Sequence, residues 1–296
     1  MKILNFGSLN IDKVYKVHHF VRPGETISSE NYTCFPGGKG LNQSIAIARA
    51  GEKVFHAGTL GKDGDFLKTI LEESGVYTDY LRVSLGINGH ALIQVTEEGE
   101  NSIILFKGSN YENDNVYIND VFSHFDKDDI LVLQNEVNNL DYLIEHGKEK
   151  GMKILLNASP IDEKLKQLDL SCITWLMINE TEGMELTGET EPDFILKRLI
   201  EKYPDIQIVL TLGTKGSIFK SKEETIFQPC IKTKTIDTTA AGDTFTGYFI
   251  ASVVKGKTIK TALKTAAQAA SLAVSREGAA VSIPKEQEVE QYILLV

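Results

Sequence analysis

The run Asp237-Thr238-Thr239-Ala240-Ala241-Gly242-Asp243-Thr244-Phe245-Thr246-Gly247 is where this sequence is best equipped for chemistry. Small residues directly before a helix leave backbone N–H groups bare at the positive end of the helix dipole. Ala240, Ala241 and Gly242 are therefore expected to form an anion site suited to a transferring phosphoryl group. Asp243 then falls in the first helical turn beside that anion. A carboxylate there can accept the proton of an attacking hydroxyl while the amides stabilise charge developing on phosphoryl oxygens. An isolated first-turn Asp more often only complements the dipole. The eleven-residue context favours the catalytic role.

Three other clusters carry polar groups at strand or helix ends. Gly37-Gly38-Lys39-Gly40-Leu41-Asn42-Gln43 reads as a glycine-rich turn opening a helix, with Leu41, Ile45 and Ala48 on its inner face and Lys39 and Asn42 near the exposed first turn. Taken alone, Lys39 reads equally well as a solvated lysine. Asn179-Glu180-Thr181-Glu182 follows an apolar run, and oxygen ligands at the carboxyl end of a strand suit a cation that retains most of its waters. The same spacing also makes Asn179 a helix cap with a nearby acid. Glu136 closes the run Leu133-Gln134-Asn135-Glu136 and could be one more solvated loop acid. Gly256-Lys257-Thr258 imitates the tail of a P-loop, but Ala251 stands where the first glycine is required and no buried strand leads into it.

These groups must be positioned by an α/β frame. Ile130-Leu131-Val132-Leu133-Gln134, Ile154-Leu155-Leu156, Trp175-Leu176-Met177-Ile178 and Ile208-Val209-Leu210-Thr211-Leu212 are continuously apolar, as parallel strands buried on both faces must be. Between them, Leu140, Leu143 and Ile144, and then Phe194, Ile195 and Leu199, recur at the spacing of crossover helices. Ligands of such sheets bind beyond the carboxyl ends of the strands. Residues of about 14–34 and 89–106 break the alternation and read as short antiparallel strands, either an inserted lid or an ordinary edge hairpin. Residues 242–254 and 258–275 are rich in small helix formers and are expected as two consecutive helices.

Composition narrows the partners. In 296 residues, 31 Lys and Arg stand against 41 Asp and Glu, a formal charge of −10, which repels polyanions and argues against nucleic acid. There is no apolar signal core and no run of about 18 apolar residues, so neither secretion nor membrane spanning is expected. Three widely spaced cysteines suit reduced thiols in the cytoplasm. No Cys/His cluster has zinc-ligand spacing.

The 237–247 run closely resembles the C-terminal signature of the ribokinase family, also called the phosphofructokinase-B carbohydrate kinases. The resemblance extends over nearly the whole chain through Gly7-Ser8-Leu9-Asn10-Ile11-Asp12, Pro23-Gly24-Glu25-Thr26 and Gly37–Gln43. It implies a single three-layer α/β/α domain over residues 1–296, with a mainly parallel sheet and a small antiparallel β lid. It further implies ATP-dependent phosphorylation of a sugar with Asp243 as general base and an anion hole at Ala240, Ala241 and Gly242. By resemblance Asn10, Asp12, Gly38, Lys39, Gly40, Asn42 and Glu136 bind the sugar. The nucleotide falls to Asn179, Thr211, Gly213, Thr214, Lys215, Gly216, Gly242 and Ala267. Asn179 and Glu182 organise Mg2+ through water, and Asp237, Thr239, Val274, Glu277, Ala279 and Ser282 bind an activating K+. The sugar set matches the D-ribose pattern, which implies ribose 5-phosphate and ADP as products. Another pentose, deoxyribose or a nucleoside such as pseudouridine is the alternative acceptor, and an inactive sugar-binding regulator is the reading from another class. Pairing of exposed lid edges into a homodimer is also expected.

Two departures bear on the nucleotide side. Asn157-Ala158-Ser159-Pro160 replaces the common Asn-Pro-Ala-Pro, and Ala267, followed by Gln268, stands where the family often has His or Asn near the adenine. Asn88 and His90 fall where a sugar-facing residue could lie, although a His on a rim is more often merely solvated.

Overall fold

Strands that are apolar along their whole length need both faces covered, and a computed structural model, which describes residues 1–293, shows how this chain covers them. The strands are β1 (Ile3–Phe6), β2 (Asn10–Lys16), β3 (Asn31–Gly37), β4 (Val54–Leu60), β5 (Tyr77–Val83), β6 (Gly89–Val95), β7 (Asn101–Phe106), β8 (Ile130–Gln134), β9 (Lys153–Asn157), β10 (Trp175–Asn179), β11 (Gln207–Thr211), β12 (Gly216–Lys220) and β13 (Thr225–Pro229). The helices are α1 (Lys39–Arg49), α2 (Asp65–Glu73), α3 (Asn115–Ser123), α4 (Leu140–Glu149), α5 (Glu163–Gln167), α6 (Glu180–Thr187), α7 (Pro192–Lys202), α8 (Ala241–Val254), α9 (Ile259–Ala273) and α10 (Glu286–Ile293). The main sheet has the order β13-β12-β11-β10-β9-β8-β1-β4-β5. It is parallel from β11 to β5, and β12 and β13 add an antiparallel edge.

Alternate strand residues point to opposite faces. Ile3, Val132, Leu155, Met177 and Val209 pack with Leu41 and Ile45 of α1, Phe245 and Phe249 of α8 and Leu263 of α9. Leu4, Leu133, Leu156, Ile178 and Leu210 pack with Phe122 of α3, Leu143 of α4 and Leu199 of α7 on the other side. Three layers result, as the resemblance implies. One contact in the first layer sets up the site: a Cβ on Gly247 would lie 2.3 Å from the Ala46 Cβ. Helices α1 and α8 therefore cross closely enough for α1 side chains to reach the first turn of α8.

The second sheet has the order β3-β2-β6-β7. Its two hairpins are antiparallel, but β2 and β6 pair in parallel, Asn10 opposite Gly89 through Lys16 opposite Val95, so the expectation of a wholly antiparallel sheet is corrected. The physical reason is the connection. The chain passes through α1, β4, α2 and β5 between these strands, long enough to return in the same direction, which a tight turn could not do. The first pair also lies at Asn10–Lys16 and Asn31–Gly37, outside much of the expected 14–34 span. Ile103, Ile104, Leu105 and Phe106 of β7 are all exposed.

Candidate active site

Ala240 caps α8 in the left-handed region, with φ 59°. A residue with a Cβ pays strain there, and the closed first turn, Thr244 N–H donating to the Ala240 carbonyl at 2.8 Å, holds it in place. Of the three amides expected to be bare, that of Ala241 already donates to the Thr238 carbonyl at 3.2 Å. The bend that directs the helix N-terminus into the cleft consumes that donor. A cavity of about 180 Å³ opens in front of the turn. Its lining joins Thr238 and 240–243 to Lys39, Asn179, Glu182 and Thr211, residues drawn from five separate elements and the loop before α8.

Asp243 is buried at this cavity. Its Oδ2 accepts from Asn42 Nδ2 at 3.0 Å and its Oδ1 from Gln43 Nε2 at 2.9 Å. Burial pushes the carboxyl above its ordinary pKa, while Lys39 and the two amides act in the opposite direction. Burial would likewise lower the Lys39 ammonium, but Asp243, Glu136 and Glu182 more than offset that and hold it above its ordinary value. The lysine is thus a fixed cation between the reacting end and the neighbouring polar cluster, which removes the solvated-lysine reading.

That cluster holds most of the expected sugar residues. Glu136 accepts from the Lys39 backbone N–H at 3.0 Å and from the Ser8 hydroxyl, and its other oxygen lies 3.7 Å from Lys39 Nζ. Asp12, on β2, is pushed up to about 7 by burial and by Glu136, with Lys39 opposing. Asn10 Oδ1 accepts from Asn110 Nδ2 at 2.7 Å. Glycines make the approach possible. A Cβ on Gly40 would lie 2.3 Å from Ser8 N, and Gly38 has φ 95°. A Cβ on Gly37 would lie 2.3 Å from Asp12 Oδ2, so the carboxyl occupies space that only glycine leaves. Asn88 is structural instead: it is fully buried, accepts from Gly61 N–H and donates to the Leu9 and Gly89 carbonyls. His90 leans on Phe106 with its Nδ1 3.1 Å from the Asn88 carbonyl oxygen.

On the opposite wall, Asn179 and Glu182 form a capping box at α6. Asn179 Oδ1 accepts from Glu182 N–H and Glu182 Oε2 from Asn179 N–H, both at 2.9 Å. The helix-cap reading is the one seen here; the box uses one Glu182 oxygen, and Glu182 also lines the cavity. Thr211 lines the cavity, but Gly213, Thr214, Lys215 and Gly216 form the next turn and lie outside its lining, with Lys215 paired to Glu180 at 3.4 Å. Ala267 packs against the α8–α9 core and is likewise outside the lining. Of the residues expected around potassium, the Asp237 carboxylate meets only Thr239: it accepts from Thr239 N–H and Thr239 Oγ1, and also from Gly278 N–H, which hold it below its ordinary pKa despite partial burial. The Val274 carbonyl already accepts from Ile236 and Asp237 N–H, and the Ala279 carbonyl from the Ser282 N–H and hydroxyl. With two lone pairs each, these carbonyls do not fit a monovalent cation in this arrangement. Glu277 adds no contact to the group.

The sequence matches the pfkB family carbohydrate kinases over residues 1–286. The chain belongs to that family. This carbohydrate kinase is 34% identical to a ribokinase of Haemophilus influenzae, over 97% of its own length and 96% of the relative's. It is 30% identical to a deoxyribokinase of Salmonella typhimurium over 100% and 99%. The structure of Arabidopsis thaliana ribokinase complexed with ribose and ATP superposes with a TM-score of 0.87 at 30% identity, covering 99% of this chain and 98% of that one. The sheet and helix layers are accordingly those of the ribokinase fold. Ser8, Gln43 and Gln134 stand in the sequence runs quoted above without an assigned role, and Asn110 stands in none of them. Gln134 had a signal: it is the single polar residue ending a buried apolar strand, and such a residue needs a partner. Among the described residues, no helix is long and apolar enough to cross a membrane.

Proposed function

We propose that this carbohydrate kinase phosphorylates D-ribose with ATP, giving D-ribose 5-phosphate and ADP. The observation that carries the reading is the placement of the Asp243 carboxylate at the head of α8, facing a cavity that also holds Lys39 and the Ala240–Gly242 turn. The ribose hydroxyl gives its proton to Asp243 as its oxygen bonds to the γ-phosphorus, and the bond to the bridging oxygen breaks to release ADP. The amides of Ala240 and Gly242, rather than all three, face the transferring group. Asn10, Asp12, Lys39, Asn42 and Glu136 hold the sugar; a buried polar set of this kind discriminates strongly against an acceptor lacking one hydroxyl. Asn179 and Glu182 would hold, through water, the magnesium that accompanies ATP, whose charge would offset that of the phosphates. Potassium activation requires the 274–282 loop to free its carbonyls first.

The second sheet serves as a lid, and its exposed β7 edge, Ile103 to Phe106, supports pairing of two copies through the lid. A cytoplasmic setting suits three cysteines that are all free. ATP consumption across ribose, deoxyribose, fructose, adenosine and pseudouridine tests the assignment. Preference for ribose supports it, preference for deoxyribose, after which the Salmonella relative is named, moves the specificity, and no turnover with any acceptor supports a sugar-binding regulator. In the same assay Asp243→Asn is expected to lower kcat by about 10²-fold or more with sugar affinity nearly kept.

A further inference from the structure

Behind Asp243 lies a chain of side-chain amides that the proposed reaction does not itself use. Asn5, Gln43 and Gln134 are all fully buried, on β1, α1 and β8. Asn5 Nδ2 donates to the Gly40 carbonyl and to Ser44 Oγ, both at 2.8 Å. Gln134 Nε2 donates to Asn5 Oδ1 at 2.9 Å and to Gln43 Oε1 at 2.8 Å. Gln43 Nε2 donates to Asp243 Oδ1 at 2.9 Å.

An amide can be turned end for end, so the direction of this chain must be fixed by something that cannot. The Gly40 carbonyl can only accept, which turns the Asn5 amide so that its oxygen faces Gln134. Gln134 must then present its NH2 to Asn5, and the same nitrogen reaches Gln43, whose oxygen is thereby taken. Only the Gln43 NH2 is left for Asp243. At the far end Ser44 Oγ lies 2.7 Å from His56 Nδ1, and burial lowers the His56 ring to about 3, so the ring is neutral; the tautomer with its proton on Nε2 lets Nδ1 accept the Ser44 proton. Reversing Gln43 alone would set two NH2 groups against each other between Gln134 and Gln43 and offer Asp243 an oxygen that only a protonated carboxyl could meet, and reversing all three would set the Asn5 oxygen against the Gly40 carbonyl.

We infer that Gln43 is a positioning residue for the base, its amide oriented through Gln134 and Asn5 by the Gly40 carbonyl so that Asp243 is presented as a proton acceptor. The inference rests on Asp243 being the base. It answers a problem posed by burial, which by itself favours the protonated, inactive form. The charged groups around Asp243 are Lys39, which opposes protonation, and Glu136, which favours it, with Glu182 across the cavity. Lys39 divides its charge among three carboxylates, so a neutral donor dedicated to Asp243 has a distinct use.

The test measures kcat at saturating sugar and ATP from pH 5 to 9 for the full chain and for Gln43→Met and Gln134→Met. Saturation matters because Asp12, which titrates at about 7, belongs to sugar binding and enters KM. Loss of one hydrogen bond to a charged acceptor corresponds to about one pH unit. Both variants are therefore expected to move the acidic limb of kcat upward by about one unit and to lower kcat below that limb about tenfold, with sugar KM at pH 8 within about twofold. Gln134→Met is the sharper variant, since Gln134 makes no bond to Asp243 and does not itself line the cavity. A limb that stays in place while thermal stability falls would overturn the inference and leave Gln43 a core residue. Asp243→Asn separates the two readings: retained turnover there removes the base itself, whereas lost turnover with an unmoved limb in the other variants removes only the relay. Should either amide variant fail to fold, the side-chain 15N resonance of Gln43 in the unaltered protein is expected to titrate with the midpoint of the kcat limb, and a resonance indifferent to pH there would equally refute it.

Discussion

Replacing Asp12 by Asn should make the ligand-free protein more stable and a poorer kinase, with a gain that grows with pH. The Asp12 carboxyl rises from 3.8 to about 7 on folding, chiefly through burial. Between those values the unfolded chain is ionised while the folded one holds its proton. Folding stability is therefore fullest below the lower value and declines as pH climbs through the upper one. Three pH units at ~1.4 kcal/mol each give at most about 4 kcal/mol, since water reaching the carboxyl screens part of the effect. Asn cannot ionise and lacks that loss. Thermal melts should show Asp12→Asn near parity at pH 4 and up to ~6 °C above the parent at pH 8. Sugar binding should run the other way. A bound hydroxyl donating to Asp12 selects the anion, so the parent should gain about tenfold in affinity between pH 6 and 8, while Asp12→Asn binds weakly and without that slope. A stability difference that is the same at both pH extremes would refute the reasoning.

Gly37→Ala puts a methyl where the Asp12 carboxyl lies and should raise sugar KM at least about tenfold with a smaller change in kcat, read by initial rates. Ala240→Gly relieves the left-handed strain and should add about 1 kcal/mol of stability in denaturant unfolding, provided φ 59° is kept. Glu182→Gln keeps the capping box shape but removes the charge facing the cavity, so the magnesium concentration for half-maximal rate should rise about tenfold, with sugar KM unchanged. Exchange of potassium for sodium should lower kcat if the 274–282 loop rearranges around a cation; equal rates would remove potassium from the scheme.

Much of the main sheet is legible because its signal is local. Ile130–Gln134 and Trp175–Ile178 are apolar at every position, which only strands covered on both faces tolerate. The 237–247 and 37–43 runs were equally legible, since small residues before a helix carry their geometry with them. The parallel pairing of β2 with β6 was not, because neighbours in a sheet depend on where the intervening chain returns and not on either strand's own residues. Gln43 and Gln134 escaped for a similar reason: they are 91 positions apart, and each makes sense only through the other. Ala241 shows a finer limit, in that a small residue before a helix bares its amide only if the preceding turn leaves it free.

β1 ends at Phe6 and β2 begins at Asn10, so Gly7, Ser8 and Leu9 alone join the central part of the main sheet to the second sheet. Those same residues brace the catalytic floor, Gly7 against Gln134 and Gly40, Ser8 against Glu136. The outer strands β3 and β7 lie at the far margins of the second sheet, away from that joint. The architecture therefore gives the two places different weight: a change in the short joint disturbs both sheets and the buried polar cluster at once, whereas one at an outer margin leaves them in place.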